Sequence, residues 1–244
     1  MKNKSAIITG ASRGIGAAAA EQFARGGFDL ALSCIHSKEK LDALAKSLRS
    51  RYGVSCLTYM GDMGQEFDAA DFIAYAAEAF GAPSVLVNNA GISKIGLLSD
   101  TSLSDWEEIM RTNVTSVFLC TKAVLPYMLH EKSGSIINVS SVWGSVGASC
   151  EAAYSASKGA VDAFTKAMAK ELAPSGIAVN AAAFGAFDTD MNSHFSKDEL
   201  AAIAEEIPSS RLGTPKEAAQ LIYSIAMQPP YLTGQVIRMD GGWF

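Results

Sequence analysis

No run of apolar residues in this 244-residue chain approaches the ~20 that a membrane-spanning helix requires. The apolar residues come in short stretches broken by glycine and polar side chains. Basic stretches are equally missing. With 20 Lys and Arg against 25 Asp and Glu the formal charge is −5, and no aromatic-interleaved basic stripe offsets it, which argues against a nucleic-acid partner. Cysteine is sparse: Cys34, Cys56, Cys120 and Cys150 lie far apart without a C-x-x-C pair, so reduced thiols are expected rather than a disulfide framework. The histidines His36, His130 and His194 are scattered as well, and no metal site is expected. Met1–Lys4 runs straight into a strand-like Ser5–Thr9 without a leader's apolar stretch, so the expected location is the cytoplasm, with no membrane partner.

What is present is alternation. Strand-type runs fall at Ser5–Thr9, Asp29–Cys34, Ser55–Met60, Ser84–Asn88, Gly134–Ser140, Ile177–Ala183 and Gln235–Met239. Between them lie Ala-rich, helix-type stretches at Ile15–Arg25, Lys38–Arg51, Gln65–Phe80, Leu103–Leu129, Ala153–Leu172 and Pro215–Met227. Such alternation predicts an α/β fold, Rossmann-like and doubly wound, with seven parallel strands and helices on both faces. No linker or repeat divides residues 1–244, which read as one domain. The stretch 186–211 is too long and polar for an ordinary connection and reads as a substrate lid, because ligands in such folds bind beyond the carboxyl ends of the strands.

Four segments carry chemistry. The first strand ends in Thr9-Gly10-Ala11-Ser12-Arg13-Gly14-Ile15-Gly16 and a helix follows at once. Glycines there let the backbone turn tightly and approach a pyrophosphate, while the helix N-terminus offers free N–H groups to the anion. Taken alone, the turn also suits an ordinary βα connection. Asn88-Asn89-Ala90-Gly91 follows the fourth strand, where small and amide side chains suit a ligand passing close to backbone. Tyr154 and Lys158 open a helix at i, i+4, on one face and one turn apart. A free tyrosine titrates near ~10, and a lysine one turn away favours its phenolate. Ser140-Ser141 ends the fifth strand, where a hydroxyl can meet the substrate oxygen that Tyr154 protonates. Asn113 falls inside Leu103–Leu129, where a solvent-facing position is the default.

In this order and at these separations the segments resemble the short-chain dehydrogenase/reductase superfamily, from the first strand to Gly241-Gly242. The likeness is greatest to bacterial 3-oxoacyl-acyl-carrier-protein reductases. The resemblance implies an oxidoreductase with a catalytic tetrad of Asn113, Ser141, Tyr154 and Lys158. Tyr154 is then the general acid and Ser141 orients the carbonyl. Lys158 binds the nicotinamide ribose and lowers the tyrosine pKa, and Asn113 holds a relay water. Resemblance also implies cofactor contacts from Gly10, Ser12, Arg13, Gly14, Ile15 and Gly16, from Asp62 and Met63, from Asn89, Ala90 and Gly91, and from Gly185, Phe187 and Thr189. A homotetramer, with a dimer as the alternative, is implied through Leu103–Leu129, Ala153–Leu172 and the end near Trp243-Phe244.

Charge selects the cofactor. NAD-binding relatives place an acid at the end of the second strand, whereas here the region reads Ser33-Cys34-Ile35-His36-Ser37-Lys38. Arg13, helped by Ser37 or Lys38, suits a 2′-phosphate, so NADP(H) is expected. One position departs from the family: Phe184 stands where a proline usually stiffens the cofactor loop, which removes that source of rigidity. The substrate is expected to be a small-molecule or carrier-bound ketone, foremost a 3-oxoacyl thioester. The family's carrier-docking surface is basic, but Lys132 is flanked by Glu131 and Ser133, and Ser175 stands where arginine is common. The segment Val142–Glu151 resembles a subgroup proposed to reduce a 5-aminopentanone group on a lysine of elongation factor P, with Trp143 and Glu151 near the substrate mouth. A non-catalytic NADP(H)-sensing regulator would share the glycine turn but has no need of Tyr154 and Lys158.

Overall fold

The computed structural model describes residues 4–193 and 195–244. Met1–Asn3 and His194 lie outside the described residues. Seven strands form one parallel sheet: β1 (Ser5–Ile8), β2 (Asp29–Cys34), β3 (Cys56–Met60), β4 (Val85–Asn88), β5 (Gly134–Ser141), β6 (Ile177–Phe184) and β7 (Val236–Met239). Their order is β3-β2-β1-β4-β5-β6-β7, so the chain reverses direction across the sheet between β1 and β4. Cofactor-binding crevices of doubly wound folds open at that reversal.

Side-chain alternation explains the two-faced burial. Ala6, Ile8, Leu30, Leu32, Val85 and Val87 pack into one core, whereas Ile7, Ala31 and Leu86 face the other. The first core is covered by α1 (Gly14–Arg25), α2 (Lys38–Tyr52) and α9 (Pro215–Ala226), through Phe23, Leu41 and Ile222. The second is covered by α3 (Glu66–Phe80), α5 (Ser116–Glu131) and α7 (Ala152–Leu172), through Phe72, Cys120 and Ala169. A parallel sheet covered on both faces needs such near-continuous apolar strands. Each fully buried Phe or Ile contributes ~1.5–3 kcal/mol relative to exposure.

The predicted helix Leu103–Leu129 is broken. It runs as α4 (Leu103–Met110), a π-helical turn Arg111–Thr115, and α5. The wider turn admits an extra residue and changes the face that its side chains present; such turns collect at functional sites. Asn113 lies in it and is 1% exposed, which overturns the default surface placement. The stretch 186–211 also holds more structure than its polarity suggested. It contains α8 (Lys197–Glu206), opened by a capping box in which Ser196 and Glu199 satisfy each other's backbone N–H. A short helix α6 (Trp143–Val146) follows β5. Among the described residues no helix is long and apolar enough to cross a membrane.

Candidate active site

The carboxyl ends of the strands surround a cleft of about 750 Å³. Gly10, Ser12, Arg13, Gly14, Ile15, Gly16, Ser37, Asp62, Met63, Asn89, Ala90, Gly91, Ser141, Tyr154, Lys158, Gly185, Phe187 and Thr189 all line it. Asn113 stands directly behind: a Cβ built on Gly91 would lie 3.3 Å from Asn113 Oδ1 and 3.5 Å from Lys158 Nζ.

The wall between β1 and β4 is built from backbone. Asn89 Nδ2 donates to the carbonyls of Thr9 (2.9 Å) and Gly10 (3.1 Å), and Thr9 Oγ1 accepts from the N–H groups of Asn89 and Ala90, each at 3.0 Å. This approach excludes side chains. A Cβ on Gly10, which has φ +64°, would sit 2.9 Å from Ala90 Cα, and one on Gly16 would sit 2.4 Å from the Gly10 carbonyl. Arg13 precedes α1 without a side-chain cap, and no acid lies in the first turn, so the helix start suits an anion such as a pyrophosphate. No carboxylate from the end of β2 lines the cleft; Ser33, Cys34, Ile35, His36 and Ser37 do. The glycine turn and the open helix start fit the pyrophosphate of a dinucleotide. The Arg13 guanidinium lies 3.6 Å from Asp190, which lines the same cleft. Lys38 lines a separate groove between α2, β3 and α3. Asp62 accepts from the Gly64 N–H at 2.9 Å and lies 3.6 Å from Arg111.

Beyond β5 the wall is made of side chains. Ser141 Oγ donates to the Phe184 carbonyl and accepts from the Trp143 N–H, each at 3.3 Å, and its hydroxyl acts on the Tyr154 phenol. Lys158 Nζ donates to the Val139 carbonyl at 2.9 Å and stands 5.5 Å from the centre of the Tyr154 ring. Asn113 Nδ2 donates to the Ile92 carbonyl (2.9 Å) and to Ser157 Oγ (3.0 Å), while its Oδ1 accepts from the Ile92 N–H (2.8 Å). The side chain thus clamps the stretch after Gly91 against α7.

Electrostatics differ from the sequence expectation at Tyr154. Burial pushes its phenol well above the ordinary range, the Ser141 hydroxyl opposes this, and the charge of Glu151 adds to it. Lys158 is therefore not what sets this group; desolvation is. A phenol held protonated is a proton donor, as reduction of a carbonyl requires. Burial also pulls the Lys158 ammonium down to about 8, against the opposing charge of Asp162.

The cofactor loop is tied down by means other than proline. Phe184 packs edge-on against Phe187 at 5.0 Å, and Phe187 forms a bridge to Gly213. Gly185 N–H donates to the Met239 carbonyl at 3.1 Å. At the mouth Trp143 meets Trp243 and Phe244 at ring distances of 5.2 and 5.1 Å, and Glu151 accepts from Ser93 Oγ at 2.6 Å. The C-terminal aromatics thus contact their own chain.

A family model described as short chain dehydrogenase matches residues 4–200. The chain belongs to the short-chain dehydrogenase family. It is 40% identical over 242 residues, 99% of either chain, to an uncharacterized oxidoreductase, YmfI, of Bacillus subtilis strain 168. It is 37% identical over 243 residues, again 99% of either chain, to the 3-oxoacyl-[acyl-carrier-protein] reductase FabG of Staphylococcus epidermidis RP62A. A 3-oxoacyl-[acyl-carrier-protein] reductase of Synechocystis PCC 6803 is 40% identical over 239 residues, 97% of this chain and 95% of that one. The protein is accordingly an oxidoreductase acting on the alcohol–carbonyl pair, and its family uses nicotinamide cofactors.

Proposed function

We propose that this dehydrogenase reduces a ketone with NADPH, its substrate being a 3-oxoacyl thioester. The observation that carries this reading is the joining of Ser141, Tyr154 and Lys158 in one cleft with the glycine turn. The reduced nicotinamide, when bound, supplies the hydride. Tyr154 gives its phenolic proton to the substrate oxygen, and its raised pKa keeps that proton available. Ser141, whose hydroxyl acts on the same phenol, orients the carbonyl. Lys158 holds the ribose and returns a proton to Tyr154. Because both Asn113 Nδ2 donors are committed to Ile92 and Ser157, Asn113 frames the site rather than donating from its side-chain amide to a relay water. Arg13, with Ser37, takes the 2′-phosphate once Arg13 leaves Asp190. Residues 1–244 act as one domain, and 186–211 serve as the substrate lid.

A second substrate reading rests on Glu151. This carboxylate lines the cleft beside Trp143, and among the described residues no cation pairs with it, as an ammonium-bearing ketone such as a 5-aminopentanone group would. The docking patch also accords with a substrate other than an acidic carrier. Lys132 and Ser175-Gly176 adjoin, a Cβ on Gly176 falling 2.8 Å from the Lys132 carbonyl, yet only the lysine is basic there. NADPH oxidation against an acetoacetyl thioester, a simple diketone and an aminoketone-modified protein separates the two readings.

Assembly follows the exposed apolar side chains. Leu97 and Leu98 before α4, Leu103 at its start, and Phe118 on α5 are exposed in the single chain, which supports a homotetramer. Light scattering at micromolar concentration should give four times the monomer mass; a stable monomer contradicts it. The four cysteines are free, which accords with a cytoplasmic enzyme.

A further inference from the structure

We propose that Asp162 is a positioning residue for Lys158: its carboxylate, buried one turn farther along the same face of α7, acts across that turn on the Lys158 ammonium beside Tyr154. The inference rests on the Tyr154/Lys158 reading given above. Tyr154, Lys158 and Asp162 follow at i, i+4 and i+8, and all three are buried, Asp162 being 7% exposed. Its Oδ1 has no hydrogen-bond partner in the structure. A buried carboxylate with one unsatisfied oxygen is costly, and an apolar residue would serve simple packing better.

The surroundings show what the charge acts on. From its own helix Lys158 and Lys166 reach Asp162 electrostatically. From β5 the Ser140 hydroxyl donates to the Lys158 carbonyl at 3.4 Å and lowers the Asp162 pKa. From α6 Gly144 closes the site, a Cβ there falling 3.0 Å from Asp162 Oδ2. Around Lys158 stand the Tyr154 ring, the Val139 carbonyl, Gly91 and the Asn113 amide, none of them anionic. Glu151 acts on Tyr154 instead. Asp162 is thus the carboxylate that opposes the loss of the Lys158 proton on burial. Burial raises the Asp162 carboxyl above the usual carboxylate range, and the Ser140 hydroxyl, then Lys166 and Lys158, oppose that rise without cancelling it. Remove the charge and Lys158 must lose its proton at lower pH.

Two titrations test this. In cofactor-free protein, the Lys158 ζ-nitrogen resonance, assigned by its loss in Lys158→Met, is followed against pH in wild type and Asp162→Asn. Lys158 and Asp162 make no direct ion pair, so the effect is at the low end of the ~1–3 units that a neighbouring opposite charge produces, and the Lys158 midpoint should fall by about one pH unit in Asp162→Asn. The alkaline limb of kcat with NADPH should fall with it. A merely structural role would lower kcat at every pH and move neither midpoint. If Asp162→Asn does not fold, Asp162→Ser removes the same charge with less bulk. An unmoved Lys158 midpoint overturns the inference while leaving the Tyr154/Lys158 reading intact. A shifted Lys158 midpoint with an unmoved kcat limb overturns the catalytic half of the inference, and the Tyr154/Lys158 reading with it.

Discussion

The carboxyl ends of β1 and β4 and those of β5 and β6 border the same cleft but are built from different materials. On the β1–β4 side the wall is glycine, main-chain N–H groups and the Asn89 amide that staples Thr9 and Gly10. Arg13, in the glycine turn, is largely exposed and paired across the cleft with Asp190. On the β5–β6 side the wall is a set of buried side chains, Ser141, Tyr154 and Lys158, with Asp162 buried behind them on α7. Backbone recognises by shape and cannot be titrated. Buried titratable groups can be tuned, at the cost of desolvation. Substitutions on the first side should therefore change affinity, and those on the second should change turnover.

The sharpest break in that comparison is Tyr154→Phe. General acid catalysis contributes ~10²–10⁴-fold, so turnover should fall by that factor while the NADPH dissociation constant, from fluorescence titration, scarcely moves. A variant that keeps its turnover contradicts the division. Glu151→Gln comes next. A hydrogen bond to a charged group is worth ~1.5–3 kcal/mol, so KM for an aminoketone should rise roughly ten- to a hundredfold, with a neutral diketone unaffected. Equal effects on both substrates would leave the acyl thioester reading standing alone. On the backbone side the effect is smaller. Arg13 is 62% exposed, so solvent screening reduces its contribution to a 2′-phosphate, and Arg13→Ala should narrow the NADPH-over-NADH preference by about tenfold at most. Comparing kcat/KM for the two cofactors checks it, and an unchanged ratio assigns the phosphate to other groups.

The same division governs what could be read from sequence. All seven strands were legible to within a residue at either end, because burial on both faces leaves an unmistakable apolar run. The glycine turn and the Tyr154/Lys158 pair were legible because each depends on local spacing along one element. Longer-range effects were not. The π-turn that buries Asn113 keeps a helical composition, so nothing in Leu103–Leu129 distinguished it from continuous helix. Helix α8 buries none of its side chains fully and its large apolar positions, Leu200 and Ile203, are few; its clearest signal was the capping pair Ser196 and Glu199. Phe184 read as a lost proline, yet its ring partner Phe187 and the bridge to Gly213 are brought together only by the fold. The pKa of Tyr154 moved opposite to the sequence argument because spacing reports the neighbouring lysine but not the depth of burial. Asp162, by contrast, was available at i+4 from Lys158 and was passed over, its meaning resting on a burial that the sequence does not display.

The central claim is that this cleft reduces a carbonyl with NADPH, and it is tested most directly by following NADPH absorbance with purified protein and an acetoacetyl thioester. The account predicts steady oxidation, faster with NADPH than with NADH at equal concentration. No oxidation with the thioester, the diketone or the aminoketone-modified protein, despite stoichiometric NADPH binding, would contradict it and mark the chain as a cofactor-binding regulator.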